Sequence, residues 1–234
     1  MDCPSHCHPP VTTVAAVSDV KTKRIKRVNR LNFESGNKGD RTLFLKKFLT
    51  QGTKIASVAP SSRWLSRETC RYIDPTKPQT IVELGAGTGP VTAYAAARMH
   101  PESRLIALEY DKDLAEAARR RVPNAHIIQG DIADMHTLVE ADKVDVVLSC
   151  LPTPTLPDHT VAAMLKWIED VAAEAHFAQI TEIAWVFQRY YRKMWDNVKF
   201  QFVARNIPPS GVYHCSGLRS DWRTSLKLTP PDEA

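Results

Sequence analysis

From Thr80 onward, short apolar runs alternate with segments whose apolar residues recur at helical spacing. The runs at 80–84, 104–109, 125–128, 144–149 and roughly 182–189 predict strands. Between them, 90–99, 112–122, 134–140 and 158–174 predict helices. The last of these places Val161, Met164, Leu165, Ile168 and Ala172 along one side. Regular strand–helix alternation implies a parallel sheet covered by helices on both faces. The pattern then changes. Lys199–Ile207 and Val212–Ser216 read as two strands joined by the Pro208-Pro209-Ser210-Gly211 turn. The expected fold is α/β: a seven-stranded, mostly parallel sheet with an antiparallel last strand.

Upstream, residues 1–20 show neither period and read as a flexible tail. Residues 21–30 hold six Lys/Arg and no acid, with Ile25, Val28 and Leu31 at every third position. That is the outline of a basic amphipathic helix. Gly36 and Gly39 break it. A second amphipathic helix follows, with Leu43, Phe44, Phe48 and Leu49 opposite Lys46 and Lys47. Ser61-Ser62 marks the cap of a helix over Arg63–Ile73, and Asp74-Pro75 ends it. The expected layout is a tail (1–20), amphipathic helices forming a lid (21–77), the α/β domain (78–218) and a C-terminal tail (219–234).

Composition adds limits more than identity. With 43% hydrophobic and 24% charged residues, the chain is an ordinary globular protein. Its longest apolar runs are strand-sized, so no bilayer-spanning segment is expected, and no signal peptide is read at the N-terminus. Five cysteines without a disulfide-like pattern favour a reducing cytoplasm. Cys3, His6, Cys7 and His8 crowd too closely for the two separated ligand pairs of a closed zinc site, so no metal is expected.

The chemistry concentrates in Ile81-Val82-Glu83-Leu84-Gly85-Ala86-Gly87-Thr88-Gly89-Pro90-Val91, where a buried strand enters three alternate glycines and a helix begins. Glycine lets the backbone turn sharply and approach a ligand, and a helix N-terminus offers free N–H groups. Dinucleotide folds space their glycines as G-x-G-x-x-G. Here Gly89 comes one place early, and Pro90 holds the expected position. Glu109 ends the second strand, where a carboxylate can accept both hydroxyls of a ribose. Asp131 follows the third strand, where a carboxylate can accept from the amino group of an adenine. Glu83 is an acid on an apolar strand, costly to bury and therefore paired or functional.

These residues resemble the signature of class I S-adenosylmethionine (SAM)-dependent methyltransferases over roughly 78–217. The resemblance implies a Rossmann-like fold and a SAM site formed by Glu83, Gly85, Ala86, Gly87, Gly89, Glu109, Tyr110, Asp131, Ile132 and Ser149. After the fourth strand, Ser149-Cys150-Leu151-Pro152-Thr153 keeps the Leu-Pro of amine-methylating enzymes but lacks their Asn and aromatic. A narrower likeness is to the soluble bacterial phospholipid N-methyltransferases, whose core resembles the rRNA adenine dimethylases. It rests on Phe48-Leu49 through Ser57–Ser62, Val82–Gly89, Leu108–Asp111, Gln129–Asp131, Ser149–Pro152 and Asn206–Tyr213. The likeness implies stepwise methylation of phosphatidylethanolamine toward phosphatidylcholine. The aromatic and basic segment Trp185–Asp196 departs from the family, as does Ala173–Thr181 in place of its glycine-rich turn before strand five. An ornithine-lipid substrate and an RNA substrate are the alternatives.

For catalysis the expected residues are Arg189, which can fork onto a lipid phosphate, Tyr190, Tyr213 and His214. Tyr213 starts the antiparallel strand at the ligand edge, and His214 points to the opposite face. The expected partners are a membrane phospholipid and an anionic membrane surface met by residues 21–49. No nucleic acid is expected, because no helical RNA-binding domain follows the sheet. The expected location is cytoplasmic, peripheral on the inner face of the cell membrane.

Overall fold

Strand β1 (Thr80–Leu84) is the first of six strands that run the same way in a seven-stranded sheet. A computed structural model describes residues 61–182 and 187–228. The helices expected over 21–49 and the Cys3/His8 cluster lie outside the described residues. Helix α1 (Arg63–Thr69) comes first, its N-cap Ser62 accepting from the Leu65 N–H at 3.2 Å. After β1 follow α2 (Pro90–Arg98), β2 (Arg104–Glu109), α3 (Lys112–Arg121) and β3 (His126–Gln129). A 3₁₀ turn (Ile132–Asp134) leads into α4 (Met135–Leu138), then β4 (Val146–Ser149) and α5 (Asp158–Val171). The chain closes with β5 (His176–Thr181), α6 (Gln188–Tyr191), β6 (Trp195–Val203), β7 (Ser210–Leu218) and α7 (Trp222–Leu226).

The sheet has seven strands in the order β3-β2-β1-β4-β5-β7-β6. β7 runs antiparallel to both neighbours, so β6 points the same way as β1 to β5. All six parallel strands therefore deliver their carboxyl ends to one edge, and β7 begins there. Strand alternation splits the core. Val82, Leu84, Ile106, Leu108, Val147, Phe177 and Tyr213 pack on one side with α5 and Trp222. Ile81, Leu105, Val146, Leu148, Ala178 and Val212 pack on the other with α1 and α2.

Three expectations need correction. The fifth strand lies at His176–Thr181, not near 182–189. His176 and Gln179 interrupt its apolar run, and the structure gives each a partner: His176 stacks on Tyr72 at 4.1 Å, and Gln179 bonds the loop after β4. The segment Ala173–Thr181 is therefore mostly strand rather than a substituted turn. The stretch 219–234 is not all tail, because α7 docks a fully buried Trp222 into the core. One aromatic in a five-residue helix is too little to register as periodicity. β6 also begins earlier than read, at Trp195, whose indole stacks on Phe177 at 5.0 Å.

Candidate active site

The turn after β1 needs its glycines for separate reasons. Gly85, Gly87 and Gly89 have φ of 79°, 56° and 80°, the left-handed region that other residues enter at a cost. The N–H groups of Gly85 and Ala86 both donate to the Leu108 carbonyl, at 2.9 and 3.0 Å, tying the loop to β2. A Cβ on Gly85 would stand 2.6 Å from Leu151 Cδ2, so the loop after β4 can approach only a glycine. Among the described residues, a Cβ on Gly87 would meet nothing within 4 Å, so they leave the loop open at that point.

Glu109 borders this opening. Its Oε2 accepts from the Gly87 N–H at 2.7 Å and its Oε1 from the Asp111 N–H at 3.0 Å. Each oxygen keeps a lone pair, which suits the two hydroxyls of a ribose. Burial pushes its carboxyl above the ordinary value, and the backbone N–H groups of Asp111 and Gly87 oppose that rise. Tyr110 beside it is exposed, a flat face at the end of β2. Asp131 follows β3, half-buried, with Oδ1 accepting from the Ala133 N–H at 2.8 Å. Ile132 seats the turn in the core. The opening at Gly87, the acceptors of Glu109 and Asp131, and the N-terminus of α2 fit a nucleoside carrying a short charged tail.

Behind the loop, Glu83 is fully buried. Its Oε1 lies 3.9 Å from Cys150 Sγ, while Oε2 has no hydrogen-bond partner at full geometry among the described residues. Burial pushes its carboxyl up to about 8, reinforced by Glu109, with Thr92 and Cys150 acting the other way. Burial therefore pushes Glu83 toward its neutral form.

The loop Ser149–Thr153 is held by a residue the sequence reading missed. Gln179 Nε2 donates to the carbonyls of Leu151 (2.6 Å) and Ile180 (2.9 Å), with that of Ser149 at 3.3 Å. Its Oε1 accepts from the Thr153 hydroxyl at 2.7 Å. The signal was present, since a glutamine in a buried strand needs partners as much as Glu83 does. Ser149 itself is buried at the end of β4, its hydroxyl without a hydrogen-bond partner among the described residues.

The four catalytic expectations separate. Tyr213 sits at the predicted edge, level with Gln179 and Ser149, but is fully buried against Tyr191 (4.8 Å) and Phe200 (4.9 Å). The Phe187 backbone N–H bears on its hydroxyl, and burial raises its pKa. Its first role is packing beneath α6. His214 is corrected out of the site. It faces α1, where Nε2 lies 2.9 Å from Glu68 Oε1, and it meets the edge of Tyr72. Burial lowers its pKa, with Glu68 opposing. Arg189 sits on α6 rather than at a strand end, with its side chain exposed. Tyr190 is half-buried, edge-on to Tyr191. Among the described residues no group of three or more His, Cys, Asp or Glu could hold a metal.

Residues 81–175 match the model of a methyltransferase domain family. Over 190 residues the chain is 43% identical to the ornithine lipid N-methyltransferase of Singulisphaera acidiphila, covering 78% of this chain and 99% of that protein. The chain belongs to the class I SAM-dependent methyltransferases. This N-methyltransferase takes SAM as its cofactor. Solved structures share its fold at low identity. The O-methyltransferase from Bacillus cereus in complex with SAH superposes with a TM-score of 0.52 at 12% identity, over 73% of this chain and 88% of that one. Phosphoethanolamine N-methyltransferase 1 of Haemonchus contortus, in complex with phosphoethanolamine and S-adenosylhomocysteine, gives 0.54 at 12%, over 82% and 52%.

Proposed function

We propose that this methyltransferase N-methylates an amino-lipid, and that its substrate is an ornithine lipid rather than phosphatidylethanolamine. The observation that carries this reading is the 43% identity to an ornithine lipid N-methyltransferase across nearly that protein's whole length. The phospholipid substrate implied by the sequence motifs gives way to the alternative stated beside it. The motif Ser149-Cys150-Leu151-Pro152 agrees with an aliphatic amine, because it lacks the aromatic that would stack on a base.

Bound SAM supplies a methyl group on a sulfonium, ready for displacement by a nitrogen lone pair. Glu109 would hold the ribose hydroxyls and Asp131 the adenine amino group. The Gly85–Gly89 turn gives the cofactor room, and Gln179 fixes the loop that flanks the acceptor amine. Positioning of this kind supplies much of such a reaction's barrier reduction. Glu83, buried beneath the loop against Cys150, would help fix the floor on which the cofactor rests. Arg189, exposed on α6, would meet the carboxylate of the head group.

The experiment is methyl transfer from SAM to ornithine lipid in detergent micelles, followed by tandem mass spectrometry. Fragments carrying the methyl on the ornithine nitrogen are expected. Labelled rRNA with unlabelled lipid in a mixed assay would overturn the reading.

A further inference from the structure

Three of the four large hydrophobic side chains exposed among the described residues lie around the end of β6: Trp64 (43% exposed), Phe202 (47%) and Ile207 (83%). Trp64 stands in the first turn of α1. Phe202 is on the edge strand β6, on the sheet face it shares with Phe200 and Tyr213 and opposite α1, and Ile207 is in the turn that leads into β7. That turn leaves the sheet at the same edge as Leu84, Glu109 and Ser149. The two elements are fastened together. Asn206 Oδ1 accepts from the Ser62 N–H at 2.9 Å, and its Nδ2 donates to the Pro208 carbonyl at 2.8 Å and to Ser210 Oγ at 2.9 Å. The apolar corner is thus a rigid part of the fold.

A groove of about 450 Å³ runs between α1 and the end of β6, lined in part by Trp64, Phe202, Arg67, Arg71 and Arg205, with Arg98 at one wall. Glu68 is its one acid, and it is engaged by His214 and Arg71. Arg205 lies over the Trp64 ring at 4.7 Å, which holds its charge beside the apolar group.

We propose that this corner is a docking surface for an anionic lipid bilayer, with Ile207, Phe202 and Trp64 entering the interface and the arginines meeting acidic head groups. The proposal rests on the lipid-substrate reading only for its purpose, not for its evidence. Apolar side chains rimmed by guanidinium groups are the chemistry of an interfacial anchor. A nucleic acid fits less well. Ile207, the most exposed of the three, offers no face for a base, and one face of the Trp64 ring is taken by Arg205. The distance suits the purpose too. From β1 to β6 there are four strand spacings of roughly 4.8 Å, so the corner stands on the order of 19 Å from the cofactor loop, along the edge where a head group must arrive.

The test uses full-length protein and no SAM. Sedimentation is measured with phosphatidylcholine vesicles and with vesicles enriched in phosphatidylglycerol, for wild type, I207S/F202S and R205E. Methyl transfer to ornithine lipid in detergent micelles is measured in parallel. All three substituted positions are exposed, so melting temperature and SAM affinity should hold. R205E should weaken binding to the anionic vesicles at least about tenfold, because each basic residue near such a surface contributes about 1 kcal/mol and reversal counts twice. I207S/F202S should weaken it by about tenfold or more, from lost apolar burial. Both variants should keep micellar turnover. Vesicle binding by both variants equal to wild type would overturn the proposal and leave the substrate reading standing. So would salt-sensitive RNA binding, lost in R205E, without vesicle binding. Absent micellar turnover in wild type, with vesicle binding still lost in the variants, would sink the substrate reading and leave the docking surface intact.

Discussion

Replacing Glu83 by Gln tests the electrostatics of the site's floor. The carboxyl is fully buried, and its folded pKa is raised to about 8 from an ordinary 4.5, burial being the largest cause. Between those values the folded protein holds a proton that the unfolded chain has released. Stability contributed by this group is therefore complete below about pH 4.5, and it is lost as pH rises toward 8. One pKa unit corresponds to about 1.4 kcal/mol, so from pH 5 to 8 the loss is on the order of 3 kcal/mol. Gln has nearly the same shape and does not titrate. Urea unfolding of both proteins across that range isolates the effect, because histidines and other groups cancel in the difference. The stability of E83Q relative to wild type should climb by about 3 kcal/mol between pH 5 and 8. A difference that stays flat would mean that Glu83 is ionised in the native protein and that a donor satisfies Oε2.

At the cofactor site, calorimetry on E109A and D131A should show SAM affinity falling about tenfold or more for each, the worth of a hydrogen bond to a charged group; wild-type affinity in either folded variant would remove that residue from the site. Gly87→Ala should cost only the left-handed backbone penalty of about 1–2 kcal/mol in stability while sharply weakening SAM binding, since its Cβ enters open space at the ligand. Gly85→Ala should cost more stability, because Leu151 must also move; equal unfolding midpoints for the two would contradict this division. Tyr213→Phe should keep methyl transfer within about a factor of five, as expected for one ordinary hydrogen bond at a packed ring. A hundredfold loss with SAM binding intact would return Tyr213 to a catalytic role.

The parallel half of the fold was legible because its strands alternate with helices at unmistakable periods. β1 and β2 begin and end where the apolar runs do. The glycine turn and Glu109 were legible for a chemical reason: a strand that runs into alternate glycines has few other uses. Gln179 and His176 hid β5, because a strand whose polar residues are satisfied by tertiary partners looks like a turn until those partners are visible. Nor could local pattern disclose which element would cover β7. Strand alternation put Tyr213 and His214 on opposite faces correctly, yet it could not show that α1 would carry Glu68 to His214 or that α6 would seal Tyr213. The basic corner was invisible for the same reason. Trp64 and Arg205 are far apart in sequence, and Asn206 reaches across to bond the Ser62 N–H.

The most direct test is a competition. Ornithine lipid and phosphatidylethanolamine, at equal mole fraction in one detergent micelle, are offered to the full-length enzyme with limiting labelled SAM. The ratio of labelled products then gives the ratio of kcat/KM values. An ornithine head group engaged by the site should be preferred by about tenfold or more, the worth of one charge-assisted contact of about 1.5–3 kcal/mol. Equal labelling, or a preference for phosphatidylethanolamine, would contradict the assignment of the ornithine lipid as substrate.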